Sequence, residues 1–286
     1  MPDIVIHVVA SALYAALALH FWNTRWRPRP AASQAPGGLR AWERAAILVP
    51  LALQGWILAE RLLVAEPPRF GFAFALSATA GLVVLIYWLE CLFLRLDGIQ
   101  PVALGLAALC VPLTAWFPGR VPTTTSLEFR VHMVLAIAAY GVLTAAVLHA
   151  LLMAAMDRLL HAARAQPGGP ASGGGMLRGP LASLPPLLTL EQMLFRMIAA
   201  AFVLLTVTLG TGMALSDSLF GRSLRLTHET VFALVAWVAF AILLAGRYFY
   251  GWRGRTALRW ALAGFMFVVL ANIGSTFVIE VILRRG

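Results

Sequence analysis

Residues 70–94 read FGFAFALSATAGLVVLIYWLECLFL, twenty-five positions with one charged side chain, Glu90. A surface helix of a water-soluble protein keeps one polar face, and this stretch has none. A helix that crosses lipid instead needs about 20 consecutive apolar residues, and this stretch supplies them. Polar breaks bound it, Glu66-Pro67-Pro68-Arg69 before and Arg95-Leu96-Asp97-Gly98 after. Outward from it the same pattern recurs, from about Ile4 to Trp22, Trp42 to Val64, Pro101 to Trp116, Arg130 to Met156, Glu191 to Leu215, His228 to Tyr248 and Ala257 to Leu283. The expectation is an all-α, polytopic transmembrane helical bundle of about eight spans, a single integral membrane domain over residues 1–286.

Composition agrees. Of 286 residues, 61% are hydrophobic and 12% charged, about half the charged share of a typical soluble domain. A soluble protein must still cover itself with polar groups, so the solvent, and the first partner, is membrane lipid. The net charge of +10 comes from arginine alone, since the chain has no lysine. Nucleic-acid binding needs a basic soluble face. These arginines instead lie between apolar runs, so nucleic acid is excluded as a partner. The two cysteines, Cys91 and Cys110, sit inside apolar runs and form no Cys-x-x-Cys pair, so covalent haem attachment and dithiol chemistry are excluded. Met1-Pro2-Asp3 carries no basic segment ahead of the first apolar run, which therefore reads as a span and not as a cleaved signal.

The longest connection is Asp157 to Leu190, expected to begin as a helical extension through Arg164 and to continue as a flexible Gly/Pro/Ser-rich stretch from Gln166 to Gly179. Arginines concentrate on the odd-numbered connections and the span ends beside them, thirteen against eight on the other side. By the positive-inside rule the 157–190 loop is cytoplasmic and both termini lie outside, in the periplasm.

Six histidines offer the clearest ligand chemistry: His7, His20, His132, His149, His161 and His228. His132 opens the fifth span and His228 the seventh, and both spans run inward from the outer face. Two neutral imidazoles at similar depth on neighbouring helices can supply both axial ligands of a haem iron. Arg120, Arg130, Arg222 and Arg225 flank them in the outer loops and can pair with propionates. Met133, Phe129, Phe232 and Trp237 offer apolar surface for a porphyrin. A histidine at a helix start is equally a plain interfacial residue, with Thr227 as N-cap before His228. His149 follows His132 by seventeen residues, about 25 Å along a helix, so those two cannot share one iron. His149 and His20 both lie near inner span ends, where they either form a second haem site or face the bundle and interface. Nucleophile, phosphate-loop and metalloprotease patterns are absent from the sequence, so the chain reads as no enzyme. No line of carboxylates crosses the membrane centre, which weighs against a proton-coupled exporter.

Thr227-His228-Glu229-Thr230, Trp237, Gly246-Arg247, Gly251-Trp252-Arg253-Gly254-Arg255, Gly264-Phe265 and Gly274 together resemble the cytochrome c assembly family, the CcsA- and HemX-like membrane proteins, and most closely its YpjD-type branch. His132 to Tyr140 and His149-Ala150-Leu151-Leu152-Met153 extend the resemblance, which covers roughly residues 130–156 and 227–283. It implies non-covalent b-type haem bound by outward-facing histidines, at His132 and His228, in a bacterial inner membrane. The chain departs from the cytochrome c synthetases of that family in two places. Ser216 to Thr227 contains no tryptophan where those carry a tryptophan-rich loop, and Glu280 lies in the region of their final-span histidine. The resemblance therefore implies a protein that carries, presents or senses haem. The alternative is a cofactor-free accessory or regulatory subunit that binds another membrane protein through its arginine-rich loops.

Overall fold

The computed structural model describes residues 2–26, 39–65, 69–94, 99–122, 126–165, 187–220 and 228–274. Eight helices follow in order: α1 (Pro2–Phe21), α2 (Ala41–Ala59), α3 (Phe72–Phe93), α4 (Gln100–Trp116), α5 (Leu127–Ala165), α6 (Leu187–Phe220), α7 (His228–Tyr250) and α8 (Gly254–Val269). Single π-helical turns continue α1 through Trp26, α2 through Val64 and α8 through Gly274. Six of the helices, α1, α2, α3, α5, α6 and α7, are long and apolar enough to cross a membrane. The seventeen-residue α4 is apolar but shorter, and α8 with its π turn completes the eight. Within the described residues, each expected span is present as a helix. α5 extends past the expected helical limit at Arg164 to Ala165, and α6 begins four residues before Glu191. The low-complexity stretch from Gln166 to Gly179 and the end of the eighth span, with Glu280, lie outside the described residues.

Two apolar cores organise the bundle. The first joins α1 to α4 around Ala10, Tyr14, Val84, Ala103, Leu104 and Ala107. The second joins α5 to α8 around Ala139, Leu143, Ile198, Phe240, Leu243 and Ala261. Their small residues have a physical reason. Lipid tails are as apolar as leucine, so helices associate through close packing and interhelical hydrogen bonds, with little help from hydrophobic burial. α3 is central: it packs on α2, α4, α5 and the π turn after α8. Over its most apolar 18 residues 67% are buried, against 22–39% over the matching stretches of the other five long spans. Gly141 of α5 lies against Leu82 of α3, where a Cβ would collide with the leucine side chain.

Several polar groups inside the bundle are paired across helices, as a medium without water favours. Pro112 of α4 has no N–H for the Ala108 carbonyl, and the Ser11 hydroxyl of α1 donates to that carbonyl at 2.7 Å. Tyr14 of α1 donates to Gln54 Oε1 of α2 at 2.7 Å, and Gln54 Nε2 donates to the Ser77 carbonyl of α3 at 2.8 Å. One buried amide thus ties three helices together.

The α7–α8 connection explains the Gly251-Trp252-Arg253-Gly254 motif. Gly251 and Gly254 both have positive φ, 64° and 55°, where a Cβ is penalised. Trp252 folds back so that its ring covers Gly246, and its N–H donates to the Gly246 carbonyl at 3.1 Å. Arg247 donates to the Trp252 carbonyl at 3.2 Å, and Trp252 stacks on Trp260 of α8.

Candidate functional site

Helix α6 is the frame of the site around His132. Its threonine hydroxyls donate back to their own helix: Thr206 to the Phe202 carbonyl at 2.7 Å, Thr208 to Leu204 at 2.8 Å and Thr211 to Thr208 at 3.0 Å. A hydroxyl whose proton is committed this way offers only lone pairs to a neighbour. Two neighbours use them. Trp237 Nε1 of α7 donates to Thr206 Oγ1 at 2.8 Å, with its ring stacked on Phe202. On α5, His132 Nδ1 lies 2.9 Å from Thr211 Oγ1.

That second contact anchors the histidine ring in one of two hydrogen-bond arrangements. With the Thr211 proton on the Thr208 carbonyl, His132 Nδ1 donates to Thr211 and Nε2 carries a lone pair; with that proton on Nδ1, the roles of the two ring nitrogens reverse. An imidazole prepared to bind a metal has the first form, one nitrogen anchored as a donor and the other open. Next to Thr211, Gly212 leaves room for the ring; a Cβ there would stand 3.2 Å from His132 Cε1. Gly210 faces open space.

His228 is the first residue of α7 and is exposed. Trp237 is level with Thr206 of α6, and these two helices run in opposite directions. Counting 1.5 Å per residue from that level, His228 lies roughly 13 Å and Thr211 roughly 7 Å toward the end of the bundle where α7 begins. The two histidines therefore share that end of the α5–α7 helices, His228 staggered beyond His132 by about one helical turn. Among the described residues no hydrogen bond or ring contact joins them. Arg130 is directed elsewhere: its guanidinium donates to the Leu63 carbonyl at 2.9 Å, in the π turn that continues α2. Arg222 and Arg225 lie outside the described residues, as does Thr227.

At the opposite end of the bundle, the other two histidines each meet a carboxylate. His20 Nε2 lies 3.1 Å from Glu43 Oε1, and Glu43 Oε2 also takes Arg25 at 3.2 Å and the Arg40 N–H at 2.7 Å. His149 Nε2 lies 3.1 Å from Glu90 Oε2, while its Nδ1–H donates to the Ala145 carbonyl at 2.9 Å. The structure thus engages these two imidazoles with different acids, one at the α1–α2 end and one between α5 and α3. Among the described residues no group of three or more His, Cys, Asp or Glu side chains converges as a metal site.

Sequence reasoning missed Thr211, Gly212 and Glu43. The signal for the first two was available as the polar, small-residue run Thr206, Thr208, Gly210, Thr211 and Gly212 within an otherwise aliphatic span.

Comparison with known proteins agrees with this architecture. The sequence profile described as Cytochrome C assembly protein matches residues 45–283, which adds the second, third and fourth spans to the region where individual motifs carry the resemblance. The chain is 30% identical over 187 residues to the inner membrane protein YpjD of Escherichia coli K12, covering 64% of each chain. An uncharacterized 28.8 kDa protein of Azospirillum brasilense is 30% identical over 152 residues, 53% of this chain and 52% of that one. The cytochrome c biogenesis protein CcsA of Prochlorococcus marinus NATL1A is 32% identical over 85 residues, 30% of this chain and 27% of that one. The alignment thus spans just under two thirds of the YpjD relative. By the extent of the profile match, this chain belongs to the cytochrome c assembly protein family.

Proposed function

We propose that the chain binds b-type haem non-covalently near the outer face of a bacterial inner membrane, with His132 and His228 as axial ligands, and that it carries, presents or senses haem without catalysing a reaction. The observation that carries this reading is the His132–Thr211–Thr208 hydrogen-bond chain, which anchors Nδ1 and supports the tautomer that presents Nε2 as a lone pair. Gly212 fits it too, since its missing side chain leaves the α6 surface beside the imidazole free of bulk. Bound haem would supply a redox-active iron. The protein's own residues anchor one imidazole, present a second from the first turn of α7, and close the site below with the Phe202–Trp237 stack. Arg222 and Arg225 in the α6–α7 connection are the proposed propionate partners. The arginine bias orients this end outward, with both termini on the same side.

The test is a haemin titration of the detergent-purified chain, followed at the Soret band. Saturable one-to-one binding supports the reading. A featureless, non-saturating response equal to that of empty detergent micelles would remove it and leave the accessory-subunit reading.

A further inference from the structure

A cavity of about 490 Å3 opens at the other end of α5, α6 and α8 from His132. Its floor is apolar, built by Met153, Leu194 and Leu258, and its rim carries Arg158, Arg255 and Arg259. Two carboxylates also border it, and both are engaged. Glu191 is bound by Arg247 at 2.6 Å and Arg253 at 3.2 Å, and Asp157 lies 3.3 Å from His161. The Glu191 charge is therefore answered from outside the cavity, by two arginines that do not line it. Three rim guanidiniums remain without a carboxylate partner among the described residues. The cavity carries net positive charge over a greasy floor.

Two further features share that rim. Gly254 and Arg255 belong to the first turn of α8, where backbone N–H groups have no intrahelical acceptor. No side chain caps this start; Arg253 at the N-cap position is extended and makes no capping bond. Open amides and the positive end of the helix dipole both favour an anion. The second feature is depth. Arg158 ends one apolar span, Tyr250 ends another, and Glu191 lies within a turn of the start of a third. Tyr248, Phe249 and Tyr250 stand exposed at the same level, as residues of an interfacial aromatic belt do. The cavity therefore opens where a lipid headgroup meets its acyl chains, with cations at headgroup level and aliphatic side chains below.

We propose that this cavity binds an anionic phospholipid. Arg158, Arg255, Arg259 and the open first turn of α8 hold the phosphodiester, and the upper acyl segments lie on Met153, Leu194 and Leu258. A free phosphate would use the rim and leave the apolar floor bare, so the combination of the two selects a lipid.

Native mass spectrometry of the full chain, released from detergent mixed with phosphatidylglycerol or phosphatidylcholine, tests this. Each surface arginine contributes about 1 kcal/mol toward an anionic lipid, so Arg255→Gln with Arg259→Gln is expected to lower phosphatidylglycerol retention about tenfold or more. Arg196→Gln, an exposed α6 arginine outside the cavity, should leave retention unchanged. Ala154→Phe keeps every charge but fills the cavity, and should also abolish retention, so the proposal stays testable if the double variant fails to fold. Equal retention of the two lipids, full retention in Ala154→Phe, or displacement of phosphatidylglycerol by millimolar inorganic phosphate would each overturn it.

Discussion

His149 Nε2 and Glu90 Oε2 stand 3.1 Å apart between α5 and α3, and their side chains are 4% and 11% exposed. His149 Nδ1 already donates to the Ala145 carbonyl, so a proton must lie between Nε2 and the carboxyl. The pair is held either as imidazolium with carboxylate or as imidazole with carboxylic acid. Both forms bind α5 to the central helix.

Removing one partner strands the other. His149→Leu leaves a buried carboxylate without its proton-sharing partner, and a broken buried pair costs about 3 kcal/mol or more. Glu90→Leu with His149→Leu removes the uncompensated group together with its partner and should recover most of that loss. Thermal unfolding midpoints in detergent measure the cycle. Additive losses in the double variant would show that the two side chains are not coupled.

The α7–α8 hairpin depends on backbone shape. Gly251→Ala forces a Cβ into the left-handed region and should cost about 1–2 kcal/mol, while Gly251→Asn should cost less because asparagine tolerates that region. Gly246→Ala should cost more than Gly251→Ala, since its Cβ would collide with the Trp252 ring, whereas nothing lies within 4 Å of a Cβ at Gly251. The order of the three unfolding midpoints checks this. A Gly246→Ala variant as stable as the parent would show that Trp252 does not need its seat on α7.

Hydropathy made the eight spans legible, because each needs only length and an apolar circumference. The same uniformity hid the interior. A helix such as α3, apolar all round, does not reveal from its own sequence which side will face a partner. Glu90 was visible as a charge near a span end, but nothing in its neighbourhood named His149, which is 59 positions away. His132 was found by its place at a span start. Its anchor, Thr211, depended on the rotation of α6, and the back-bonding that turns a threonine into an acceptor is set by its own helix geometry. Arg130 shows the converse: its sequence position suggested a propionate partner, and the structure places its guanidinium on the Leu63 carbonyl.

The Thr211 hydroxyl is expected to act through His132. Thr211→Val removes the hydroxyl, so Nδ1 loses its anchor. Loss of such a supporting partner weakens metal binding about 10- to 100-fold. Thr211→Ser keeps the hydroxyl and should bind haemin like the parent. Soret titrations of the three proteins decide the point. Equal affinities for the valine variant and the parent would mean that this hydrogen bond does not prepare the ligand.

The most direct test of the central claim is the visible spectrum of the haem-loaded chain, oxidised and dithionite-reduced, beside His132→Ala and His228→Ala. Axial ligation by both histidines predicts a low-spin b-type spectrum in the parent that turns high-spin or is lost in each variant, with the helical fold intact by circular dichroism. A low-spin spectrum that survives unchanged in both variants would contradict the assignment of His132 and His228 as the ligands.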